Sequence, residues 1–75
     1  MIEIIYNGFT EWDPRMRHLI VRSPDKELLI VISELMAGWA GRGEARPPIP
    51  DGPRMTYDDN YVAKPGWWRV GWTWK

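Results

Sequence analysis

The chain has 75 residues, ten acidic and ten basic side chains, and no cysteine. That length allows one small domain, and the missing thiols exclude disulfides, thiolate zinc sites and cysteine redox chemistry. The balanced charge is neither the basic footprint of a general nucleic-acid binder nor the acidic surplus of a DNA mimic.

A chain this short buries only about 60% of the surface that its unfolded form exposes, so stability has to come from large side chains. Six tryptophans supply them. The single histidine, His18, excludes a multi-histidine metal site. No uninterrupted apolar segment of about 18 residues exists, so no span of a membrane is expected. The N-terminus lacks the basic region and cleavage site of a signal peptide, and the chain reads as a complete, cytoplasmic gene product.

Residues 2–6 are mostly β-branched or aromatic, and Asn7-Gly8 follows. Asn-Gly supplies the two positive-φ positions of a type I′ turn, which predicts a hairpin with Phe9 to Trp12 as its return strand. Arg15 to Arg22 reads as a further strand, with His18 and Ile20 on one face and Leu19 and Val21 on the other.

Residues 23–41 have two readings. The preferred one is a helix with Ser23 as N-cap, Pro24 at the first helical position, and Asp25 and Glu27 in the first turn. Its core stripe would be Leu28, Val31, Ile32, Leu35, Met36 and Trp39, with Gly41 as the left-handed cap. The rival is a turn at 23–26 with residues 28–32 pairing back as a strand, favoured by the β-branched run Ile30, Val31 and Ile32.

Four prolines and two glycines between Arg42 and Arg54 forbid a packed helix or central strand there. Residues 42–54 are expected to be an ordered surface connection within the single domain 1–75. The PxxP spacings in it lack the flanking arginine of an SH3 ligand. Met55 to Val62 is a further candidate strand, and Lys64 to Trp67 has the Pro-Gly centre of a type II turn. In the final segment Trp68, Val70, Trp72 and Trp74 alternate with Arg69, Gly71, Thr73 and Lys75, the pattern of a half-buried strand.

The expected fold is therefore α+β, a small antiparallel sheet of about four strands with one helix on one face. Its predicted core is Ile4, Tyr6, Leu19, Val21, Leu28, Val31, Ile32, Leu35, Met36, Trp39, Trp68, Val70, Trp72 and Trp74.

Chemistry-bearing constellations are few. His18 is the one imidazole and shows no nucleophile at a recognisable spacing. Asp58, Asp59 and Asn60 read as a loop rich in Asx residues, without the ligand spacing of a calcium loop. No glycine-rich phosphate loop occurs. The chain is expected to be no enzyme and to hold no cofactor or metal.

Seven of the ten cations are arginine, which suits planar contacts to a partner. Trp and Arg are also the types enriched at interface hot spots. Trp67, Arg69, Arg42, Arg46, Arg54 and Trp12 are the candidate contact residues. The leading expectation is a protein-binding inhibitor or adaptor, of the kind common in phages and mobile elements, acting by steric occlusion of a partner protein. The alternatives are a single-stranded nucleic-acid binder that stacks Trp and Arg on bases, and a homo-oligomeric subunit paired through an exposed last strand.

Overall fold

A computed structural model describes residues 1–39 and 46–75. The expected cap Gly41 and the candidate Arg42 lie outside the described residues. The elements are β1 (Glu3–Phe9), β2 (Arg17–Ser23), α1 (Lys26–Trp39), β3 (Ile49–Pro50) and β4 (Trp68–Trp74). The strands form one antiparallel sheet in the order β1-β2-β4-β3, with α1 packed on one face. This is the α+β architecture expected from the sequence.

The last strand behaves as its alternation predicts. In register, Trp74 lies opposite Arg17, Trp72 opposite Leu19, Val70 opposite Val21 and Trp68 opposite Ser23. These residues share the face under the helix, where Val21, Leu29, Val70 and Trp72 form the core cluster with Leu19, Ile32, Met36, Trp68 and Trp74 packed around it. β4 is interior over its first residues, since Trp68 and Arg69 pair with β3 as well as β2. The open last strand expected for pairing between copies is therefore covered there.

The helix forms, but its start and its rotation differ from expectation. Ser23 still belongs to β2, where its hydroxyl donates to the Met1 carbonyl at 2.6 Å and accepts the Asp25 amide at 3.0 Å. Asp25 is the cap instead, its carboxylate accepting the Leu28 amide at 3.1 Å. The buried stripe is Leu29, Ser33 and Ala37, with Ile32 and Met36 beside it. Val31, Leu35 and Trp39, expected in the core, are exposed.

Apolar residues surround most of this helix, so hydrophobicity alone does not set its phase. The Trp72 indole sets it, because its buried N–H needs an acceptor and Ser33 supplies one. The Trp72 indole donates to the Ser33 hydroxyl at 3.3 Å, and that hydroxyl donates to the Arg46 carbonyl at 2.6 Å.

The predicted Asn7-Gly8 turn is not made. β1 runs straight through both residues, and Gly66 is the one positive-φ residue among those described. Gly8 lies under the Tyr6 side chain: a Cβ there would meet the Tyr6 hydroxyl oxygen at 2.7 Å and the ring would have to shift. The chain reverses instead at residues 10–16, closed by the Thr10 amide to the Met16 carbonyl at 2.9 Å. A bulge between Ile4 and Tyr6 inserts one residue and reverses the facing of the strand. Ile4 thus stays on the helix side but is exposed, and Tyr6 turns to the back face opposite Ile20.

The strand expected over Met55 to Val62 is a pair of turns, because Asp58 accepts the Asn60 amide at 2.9 Å and offers the backbone a local partner. The Lys64–Trp67 turn is as predicted, with Gly66 at φ 81° and the Trp67 amide bonded to the Lys64 carbonyl at 3.1 Å.

The helix phase can be checked with two identical substitutions. Leu29→Ala, at a fully buried position, is expected to lose about 2–5 kcal/mol in urea unfolding. Leu35→Ala, at a position 68% exposed, should change stability by less than about 0.5 kcal/mol. Equal losses would place Leu35 in the core after all.

Candidate anion-binding cleft on the back of the sheet

The face turned away from α1 carries His18, Ile20 and Arg22 from β2 and Arg69 and Gly71 from β4, paired Arg22 with Arg69, Ile20 with Gly71. The chain from Arg46 onward folds over part of this face and leaves a cleft of about 630 Å³. His18, Ile20, Arg69 and Gly71 line its sheet side, and Arg46, Ile49, Arg54 and Met55 are among the residues lining the other. Gly71 keeps the floor hollow. A Cβ there would come within 3.1 Å of His18 Nε2 and 3.3 Å of Ile20.

Asp51 is the hub that holds the covering segment down. Its side chain has no exposed surface, and its carboxylate accepts from the Tyr61 hydroxyl at 2.7 Å and the Lys64 amide at 2.9 Å. Arg22 reaches it at 3.3 Å and Arg69 at 3.6 Å. Burial pushes this carboxyl upward, but the Lys64 amide, the Tyr61 hydroxyl and the two guanidiniums outweigh burial and hold it below its ordinary value. Arg22 also bonds Glu3, whose other partner is Lys64 at 2.7 Å.

Arg69 donates to the Arg54 carbonyl at 2.8 Å, which anchors the backbone of Arg54 at the cleft. The guanidiniums of Arg54 and Arg46 are exposed, and neither has an ion-pair partner among the described residues.

His18 stands in an aromatic surround. Its Nδ1 is 2.8 Å from the Tyr57 hydroxyl, and Tyr57 stacks on Tyr6 with centroids 3.8 Å apart. Trp12, itself exposed, meets the imidazole edge-on at 5.9 Å. Burial, assisted by the positive charge of Arg46, holds the His18 pKa below its ordinary value, so the ring is neutral at pH 7. Both serines lie on the helix side with their hydroxyls engaged.

Of the six sequence candidates, the structure brings Arg46, Arg54 and Arg69 to one cleft. Trp67 is half-buried beside it, with Lys64 Nζ 4.2 Å and the Arg22 guanidinium 5.7 Å from its ring centre. Trp12 borders His18 but does not line the cleft. The sequence set His18 aside as an imidazole without a nucleophile and did not single out Tyr57. The only signal for them was the period-two facing that groups His18 with Ile20, and nothing marked Tyr57, which arrives on an irregular loop. Chemically, the cleft offers planar cationic donors above a floor of Ile20, Gly71 and the imidazole of His18. No protein family, curated protein or solved structure matches this chain.

Two pH windows follow. The depressed carboxyl of Asp51 stabilises the fold above its unfolded value, and this contribution drains away as pH falls below about 4. His18 acts higher: its unfolded form binds a proton more readily, so stability also declines as pH drops below about 6.5. Urea unfolding between pH 8 and 2 should show both. Asp51→Asn should cost roughly 3 kcal/mol at pH 7 by leaving Arg69 without its carboxylate and Arg22 with Glu3 alone, and should flatten the acid limb. An unchanged acid limb would show that Asp51 is not the hub.

Proposed function

We propose that this protein works by binding, as a small inhibitor or adaptor that seats an acidic segment of a partner protein in the back-face cleft and occludes the partner's surface. The supporting observation is the convergence of Arg46, Arg54 and Arg69 on one cleft, with two of the guanidiniums free of ion pairs among the described residues. Arginine forks match carboxylates in two-point geometry, and unpaired surface charge speeds encounter with an oppositely charged partner. Trp12 beside the aromatic surround of His18 adds a large exposed side chain of the type that dominates interface energetics.

Single-stranded nucleic acid is the second reading. The gathering of arginines with Trp12 on one face favours it, and the zero net charge weighs against it, because phosphate neutralisation supplies most of such affinity.

A tagged pull-down read by mass spectrometry, with and without nuclease, separates the two. A protein captured in both arms, with affinity lowered about tenfold or more, about 1.4 kcal/mol, by Arg54→Glu, is the expected result. Capture lost with nuclease moves the function to nucleic acid. Capture indifferent to Arg46→Glu and Arg54→Glu together removes the cleft from the function.

A further inference from the structure

We infer that the anion this cleft takes is a phosphomonoester, carried either by a small molecule or by a side chain of the partner, and held by Arg46 and Arg54 at the rim with His18 at the floor. The inference rests on the reading of this same cleft as the contact surface.

Charge is the first reason. Three arginines line the cleft, and the carboxylate that pairs with one of them among the described residues, Asp51, is shared between Arg22 and Arg69. One bound carboxylate would balance only one of Arg46 and Arg54, the two lining cations without an ion pair among the described residues. A phosphomonoester carries about −1.5 to −2 charges at pH 7 and balances both. Its three acceptor oxygens also match two guanidinium forks and a further donor.

The second reason is that among the described residues no carboxylate lines the cleft. The Asp51 side chain has no exposed surface and is bonded to Tyr61 and the Lys64 amide, so its charge is spent before a ligand arrives.

The floor supplies the further donor. Tyr57 occupies Nδ1 of His18, and the other ring nitrogen lies over Gly71 in the cleft lining. A neutral imidazole whose Nδ1 accepts the phenol proton presents N–H at Nε2. The size of the cleft, about 630 Å³, falls in the range of small-molecule sites. The walls beyond the arginines are apolar, with Ile20, Ile49 and Met55 facing the space. A phosphoryl group on a flat apolar body fills both parts.

Because Arg46 is one of the two causes of the low His18 pKa, a dianion placed against Arg46 raises that pKa. Among the described residues the groups around the imidazole are Tyr6, Tyr57, Trp12 and Arg46, so the ligand acts on the ring through its own contact with Nε2 and through Arg46.

His18 is the only histidine, and its ring proton can be followed by NMR without assignment ambiguity. Phenyl phosphate, inorganic phosphate and benzoate are titrated at constant ionic strength. Phenyl phosphate is expected to bind at least about tenfold more tightly than benzoate and to raise the His18 pKa. Inorganic phosphate should give the same shift at higher concentration. Arg46→Ala and Arg54→Ala, at exposed side chains, should each abolish the response, while Arg15→Ala, whose guanidinium bonds Asp13, should leave it intact. Equal binding of benzoate and phenyl phosphate, or a titration indifferent to all three, overturns the inference, as does an unchanged response in the Arg46 and Arg54 variants.

Phosphatase treatment of the lysate before pull-down distinguishes the sources. Lost capture assigns the group to the partner; retained capture, with phenyl phosphate still binding, assigns it to a small molecule. Capture of a protein together with no response to phenyl phosphate keeps the protein-binding reading and ends this one.

Discussion

One hydrogen-bonded relay connects the core to the rest of the molecule. The Trp72 indole donates to Ser33, and Ser33 donates to the Arg46 carbonyl. The first link fixes how α1 is turned about its axis, because an indole N–H buried at the centre of the core needs an acceptor and leaving it unmet would cost about 1–3 kcal/mol. The second ties down the backbone where the chain emerges to cover the opposite face of the sheet. Helix phase and cleft wall are thus set by the same hydroxyl.

The two faces of the sheet are held by different physics. Under the helix the contacts are apolar and crowded, with three of the six tryptophans packed in or against the core cluster. On the back, a buried carboxylate gathers arginines, a tyrosine and a backbone amide. Such a buried ionic hub is a poor source of net stability but a strong source of geometric definition, since its partners must all arrive together. It gives an irregular chain segment, poor in regular hydrogen bonding, one position on the sheet.

Much of this architecture was legible in the residues. The alternation Trp68, Val70, Trp72, Trp74 set the inner face of β4, and the Pro-Gly turn before it was made as expected. The helix was legible as a helix, and Ile32 and Met36 pack on the core as expected. Its rotation was not legible, because the exposed Val31, Leu35 and Trp39 continue the apolar pattern while the buried line runs through Leu29, Ser33 and Ala37. The acceptor that the buried Trp72 indole requires, Ser33, chose between them. Asn7-Gly8 misled because glycine serves close approach as well as positive φ, and the dipeptide looks the same in both uses. At the candidate site, the arginines were legible as a type, but their meeting was not. Arg46, Arg54 and Arg69 converge only through the irregular segment that Asp51 pins.

The sheet order has a kinetic consequence. β2 and β4, the two strands that share the core, come from opposite halves of the chain. Their ladder is a non-local contact whose loop-closure entropy must be met before any burial rewards it. The first hairpin and α1 are local and form quickly, yet the apolar face between them has no cover until Trp68 to Trp74 is in place. Folding is therefore timed by the arrival of the last strand, and a nascent chain that has not reached it carries a half-core open to the solvent and to other chains.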